Sequence, residues 1–109
     1  MTIRFKNYRK YKNKPFILNG IWFASQKEAY RYKNLYVLEK AKEITNLKTQ
    51  VNFPIWVNGE KICTYRADFT YNDKDGNVII EDTKGFKTPI YLIKKKLLWA
   101  TQKILIKEI

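Results

Sequence analysis

The segments Tyr65-Arg-Ala-Asp68-Phe and Asp82-Thr83-Lys84-Gly85, with thirteen residues between the two aspartates, hold the side chains best suited to chemistry in this chain. The second segment closes an apolar run, Val78-Ile79-Ile80. Side chains alternate faces along a strand, so Asp82 and Lys84 share one face and Thr83 points to the other. A hairpin turning through Asn72-Asp-Lys-Asp-Gly-Asn77 sets Asp68 across from Asp82. Two carboxylates facing each other repel, and a hard divalent cation held between them is the simplest compensation.

Phosphodiester hydrolysis at neutral pH needs a hydroxide nucleophile and charge neutralisation at phosphorus, and a magnesium ion supplies both. Asp68 and Asp82 supply carboxylates, Glu28 is a candidate third, and the Thr83 carbonyl is a candidate backbone ligand. Lys84 is placed to touch the attacking water or the transition-state oxygens, with orienting and charge-stabilising roles favoured over a general base. A plainer reading stands beside this one: Asp-x-Lys is frequent in strands, and such a pair on a sheet face is commonly a surface salt bridge.

Composition narrows the field. The chain has 109 residues, with 45% hydrophobic and 16% aromatic content, which suits one folded domain with one core. Lys and Arg number 22 against 10 Asp and Glu, a formal charge of +12 that points to a polyanionic partner, most often nucleic acid. The absence of histidine removes histidine-based triads, histidine general acid–base catalysis and the common zinc sites. One cysteine, Cys63, excludes an internal disulfide and reads as a small buried strand residue. No segment approaches the ~20 apolar residues of a membrane span, and the first residues lack the apolar core of a signal peptide. A cytoplasmic protein is expected.

The elements that must position these groups follow from local patterns. Residues 1–14 carry Arg4, Lys6, Arg9, Lys10, Lys12 and Lys14 among aromatics with no clean period. They read as a basic arm, either solvated or meeting DNA phosphates, ahead of a single domain over 15–109. Asn19-Gly20 between Phe16-Ile-Leu and Ile-Trp-Phe23 signals a β-hairpin. Ser25-Gln-Lys-Glu28 opens a helix to about Ala41 as a capping box. Glu28 also begins a stripe with Tyr32, Leu35 and Glu39 that faces inward and could reach the acidic centre. Both readings of Glu28 stay open.

Ile44 to Val57 is β-prone and interrupted by Pro54, and Asn58-Gly59 turns it into Glu60–Tyr71. There Cys63, Tyr65, Ala67, Phe69 and Tyr71 form an apolar face, while Asp68 lies on the opposite one. Val78–Lys84 follows, with Asp82 and Lys84 on one face; Glu81 leaves open which carboxylate meets the metal, and parity with Lys84 favours Asp82. Thr88 and Pro89 start a second helix whose apolar stripe is Ile90, Ile93, Leu97 and Ala100, with Lys94, Lys95 and Lys96 on other faces. Lys103–Lys107 makes a last strand. Together these form an α/β fold with a mixed sheet between helices.

At these residues the chain resembles the PD-(D/E)xK nuclease superfamily, with its restriction-endonuclease-like αβββαβ core matching residues 25–108 in order. The segments from Gly20 to Ala29, Val57 to Phe69 and Ile80 to Pro89 are similar to small phage-encoded nucleases, and through them to phage four-way-junction resolvases. The chain departs from the pattern in having Ala67 before the first acid and Asp82 where glutamate is commoner. The resemblance implies that Glu28, Asp68 and Asp82 bind magnesium or manganese, and that Lys84 assists catalysis. It also implies a site role for Gln50, which the residues alone describe as a strand-edge amide.

The expected activity is metal-dependent endonucleolytic cleavage of DNA, structure-specific and carried out by a homodimer on branched DNA, in the host cytoplasm if the chain is phage-encoded. Lys87, Lys94, Lys95 and Lys96 flank the site as expected DNA contacts. The competing expectations are a nicking or end-processing nuclease, a basic DNA-binding or replication accessory protein without catalysis, and an RNA-binding protein of ribosomal type.

Overall fold

A computed structural model describes residues 16–83 and 86–109, so the basic arm's cations Arg4, Lys6, Arg9, Lys10, Lys12 and Lys14, together with Lys84, lie outside the described residues. The element order is β1 (Phe16–Leu18), β2 (Ile21–Phe23), α1 (Gln26–Lys40), β3 (Thr45–Val57), β4 (Glu60–Asn72), β5 (Val78–Asp82), α2 (Pro89–Gln102) and β6 (Lys107–Glu108). From α1 onward this is the expected αβββαβ order, preceded by the expected hairpin. The chain divides into two compact units, residues 1–34 and 35–109, with the boundary inside α1.

In the first unit, β1 and β2 pair antiparallel with Leu18 opposite Ile21. Asn19 and Gly20 both take positive φ, 51° and 75°, the geometry of a two-residue hairpin turn that matches strand twist. Ser25 caps α1, its Oγ accepting from the Glu28 N–H at 3.1 Å. Phe23 packs on Tyr32 with ring centroids 5.0 Å apart, and Asn19 Nδ2 donates to the Tyr32 hydroxyl at 3.2 Å. On α1 the stripe read from sequence is the sequestered one: Glu28, Tyr32 and Leu35 are buried and Glu39 is half-buried.

The second unit is built on a four-stranded sheet in the order β3-β4-β5-β6, antiparallel except for the parallel β5–β6 pair. Glu39 ties the end of α1 to the start of β3 by accepting from the Leu47 N–H at 3.0 Å. Asn58 and Gly59 turn β3 into β4, again with positive φ at both. Pro54 does not break β3, which continues to Val57. As an edge strand, β3 can leave a missing N–H on its unpaired side.

The core joins Ile55 of β3, Tyr65 and Ala67 of β4, Ile80 of β5, Tyr91 and Leu98 of α2, and Ile106, with Cys63 and Leu97 packed at its margin. Thr88 caps α2 through its Oγ1, which accepts from the Tyr91 N–H at 3.1 Å, and Pro89 opens the helix. The buried face of α2 differs from the apolar stripe read in sequence. Ile90 and Ile93 are 66% and 59% exposed, whereas Tyr91 and Leu98 are buried. The helix is rotated because polar ends satisfy the sheet side: Lys94 Nζ donates to the Thr64 carbonyl at 2.9 Å, and the Tyr91 hydroxyl donates to Glu108 at 2.6 Å. Lysine stems cover apolar surface while their ends are bonded, so a helix face rich in lysine can pack inward.

The last strand is also shorter than expected. Lys103 sits in the left-handed region (φ 57°) as the C-cap of α2, its N–H donating to the Trp99 carbonyl at 3.0 Å. Pairing begins only at Lys107, where β6 runs beside β5.

Candidate active site

Asp68 and Asp82 come from neighbouring strands of the second unit. The β4–β5 ladder pairs Asn72 with Val78, Tyr71 with Ile79, Thr70 with Ile80 and Phe69 with Glu81. One step further along this register, Asp68 stands opposite Asp82, as expected. Their link is direct at Thr83: its N–H and its hydroxyl both donate to Asp68 Oδ2, at 2.8 and 2.7 Å.

The faces, however, do not follow simple alternation. Residues opposite in a ladder share a side of the sheet, so Thr70 lies on the side of Ile80. Ile80 packs into the same core as Tyr65 and Ala67. Strict alternation from Ala67 would bring Phe69 to that side instead. The alternation therefore slips by one residue between Ala67 and Thr70, at Asp68. Across the ladder, pairing passes from Thr49–Phe69 to Val51–Ala67, and Gln50 between them has φ 54°, a conformation uncommon for a residue with a side chain. The register is the same on both sides of this point, one residue being passed over on each strand, Gln50 and Asp68. At the end of β4, Phe69, Thr70 and Tyr71 are all buried, so both faces of the strand are covered there.

This geometry separates the two acids of β5. Glu81 and Asp82 are both 0% exposed. Glu81 lies on the side of its partner Phe69 and accepts from the Tyr71 hydroxyl. Asp82 lies on the core side and accepts from the Tyr65 hydroxyl. Burial above all, and then the bond to Asp82, push the Tyr65 hydroxyl far above its ordinary range, with the charges of Asp82 and Asp68 adding to the effect. Tyr65 therefore remains a protonated donor at any working pH. Asp82, and not Glu81, shares its surroundings with Asp68.

A second tyrosine–carboxylate pair lies alongside. Asp82 is in register with Glu108 of β6, and the Ile109 N–H donates to the Asp82 carbonyl at 3.0 Å. Glu108 accepts from the Tyr91 hydroxyl and from Lys95 at Oε2, and pairs with Lys87 at Oε1, 3.1 Å away. The Tyr91 bond first, with Lys87 and Lys95, holds the Glu108 carboxyl down to about 2. The Tyr91 hydroxyl is pushed up, chiefly by burial and then by its bond to Glu108, and it also feels Asp82 and Asp68. The rings of Tyr65 and Tyr91 lie 6.2 Å apart.

The other expected site residues fall as follows. Glu28 is buried in the first unit, with its N–H on the Ser25 cap. Gln50 occupies the β3 position across from Asp68, and its Oε1 accepts from Arg66 at 2.6 Å, which fits the strand-edge amide read from sequence. Lys87 and Lys95 face Glu108 and Lys94 is bonded to Thr64, while Lys96 is exposed. Sequence reasoning missed Tyr65, Tyr91 and Glu108. The signal was present, since a buried tyrosine hydroxyl needs a hydrogen-bond partner, but the partner depends on the slip at Asp68.

The donor set is chemically suited to a hard cation: two aspartates and the Thr83 carbonyl, with no histidine in the chain. Mg²⁺ is satisfied by one or two carboxylates with waters. Among the described residues no three His, Cys, Asp or Glu side chains group into a metal-binding set. Among them, also, no helix is long and apolar enough to cross a membrane.

The chain belongs to the family described as "Protein of unknown function (DUF1064)", whose model matches residues 8–106. No curated protein and no solved structure matches it.

Proposed function

We propose that this protein is a metal-dependent DNA endonuclease of the PD-(D/E)xK type. The observation that carries the reading is the convergence of Asp68 and Asp82 from adjacent strands, in a chain of net charge +12 without histidine. Asp68, Asp82 and the Thr83 carbonyl would hold Mg²⁺ or Mn²⁺. The ion, when bound, supplies a hydroxide at neutral pH and neutralises charge at phosphorus.

The chain's own groups prepare that site. Thr83 orients Asp68 through two hydrogen bonds to one oxygen. Tyr65 orients Asp82 from the core side. Lys84 offsets charge on the phosphate oxygens, and the arm cations with Lys96 contact the DNA backbone. Branched DNA is the favoured substrate, because with 22 Lys and Arg affinity would rest on phosphate contacts, which read shape rather than sequence. A homodimer would place two sites at fixed separation for paired nicks. The exposed Ile17 and Trp22 of the hairpin suit such a contact.

A non-catalytic DNA-binding protein is the second reading, favoured by the complete burial of Asp82. A four-way DNA junction and a matched duplex separate the two, each incubated with Mg²⁺ and with chelator. Symmetric nicking of the junction that is lost in Asp68→Asn while binding persists is the expected result. Tight binding without cleavage under any divalent metal would leave only the binder.

A further inference from the structure

A cleft of about 310 Å³ opens beside the two tyrosines, between β4 and the start of α2. Tyr65 and Tyr91 line it, Arg66 and Lys94 bring cations, and Phe86 and Ile90 add apolar surface. Phe86 is 77% exposed, so an aromatic side chain at the cleft margin is left open to contact. The cleft thus combines an aromatic platform and basic groups, and it shares Tyr65 and Tyr91 with the acidic pairs already described.

These are the two requirements of single-strand binding: an aromatic face on which a base stacks, and cations that meet its phosphate. The size also discriminates. Small-ligand pockets begin at roughly 300 Å³, which suits one nucleotide and excludes a duplex. A paired base can occupy such a site only after leaving its stack.

We propose that this cleft takes one unpaired nucleotide of a DNA substrate strand, its base stacked on Phe86 and its phosphate met by Arg66. The assignment rests on the nuclease reading for its biological meaning, since Tyr65 joins the cleft to Asp82. It makes the protein selective for DNA with an unpaired nucleotide next to the cleaved bond, such as a branch point or flap.

The test uses the full chain with chelator present, so that binding is read without cleavage. The probe is a short single-stranded oligonucleotide with one 2-aminopurine, compared with a matched duplex. Stacking is expected to quench the fluorophore. Phe86→Ala is expected to lose the quench and to weaken single-strand binding about tenfold relative to duplex binding, whereas Phe86→Trp restores both. Arg66→Gln is expected to lower the salt dependence of single-strand binding by about one unit of slope.

Equal effects of Phe86→Ala on single strand and duplex, or no effect on either, would overturn the assignment. Displacement of the oligonucleotide by equimolar free thymidine monophosphate would also overturn it, in favour of a free-nucleotide pocket. The two readings fail separately. Loss of the quench in Phe86→Ala, with no cleavage by wild type under any metal, removes the nuclease and keeps the cleft. Metal-dependent cleavage with no quench does the reverse.

Discussion

The Tyr65 hydroxyl donates to the Asp82 carboxylate on the neighbouring strand, although simple alternation along β4 would put Tyr65 on the face opposite to Asp68 and its partner Asp82. The contact exists because the alternation of β4 slips at Asp68. One local irregularity thus places an acid of β5 under a core tyrosine, and leaves Asp68, which is half-buried, as the more accessible carboxylate.

Tyr65→Phe removes that donor from a fully buried carboxylate while keeping the ring. The expected cost is about 1–3 kcal/mol in urea unfolding, the range for leaving a buried acceptor unsatisfied. A double-mutant cycle with Asp82→Asn should show coupling between the two positions. Additive effects would mean that the hydroxyl does not support Asp82.

Asp68→Asn is expected to leave folding nearly intact, since an amide oxygen can still accept from Thr83. It should lower metal-dependent nicking of branched DNA at least about a hundredfold, the scale of losing a group that stabilises charge in the transition state. Affinity measured with chelator should be kept. Nicking at the wild-type rate would remove Asp68 from the site.

The Glu108 cluster makes a pH prediction. Its carboxyl is held down to about 2 by Tyr91, Lys87 and Lys95, from an ordinary 4.5. A depressed folded-state value stabilises the protein above the ordinary value, and that stabilisation is lost as pH falls from 4.5 towards 2. Because this cluster is near the surface, screening reduces its worth to about 1 kcal/mol. Glu108→Gln should therefore flatten the stability–pH curve in that acid window. A curve that keeps its slope there would assign the acid sensitivity to other carboxylates.

On α2, Leu98→Ala should cost about 2–5 kcal/mol as a buried cavity, while Ile93→Ala stays within about 0.5 kcal/mol as an exposed change. Thermal or urea unfolding of the two variants ranks them. The reverse ranking would restore the apolar stripe read from sequence as the packing face.

Local chemistry was legible without coordinates. Asn19-Gly20 and Asn58-Gly59 announce turns because few other residues accept positive φ. Ser25 and Thr88 announce helix starts because their oxygens satisfy orphan N–H groups, and Asp68 and Asp82 fall into register because a short turn leaves few alternatives. Pro54 misled, because a proline is tolerated or disruptive according to whether its strand lies at an edge, and strand order is not local.

The face of α2 misled for a related reason. Apolar periodicity offered Ile90, Ile93 and Leu97, but Thr64 and Glu108, which are distant in sequence, draw Lys94, Tyr91 and Lys95 to the sheet side. The sequence by itself determined the elements, their order and the two opposed aspartates, since each depends on neighbours along the chain. Only the tertiary structure decided the slip at Asp68 and the tyrosines that hold the acids. Those depend on which strands and helix meet, and on where buried polar groups must find partners.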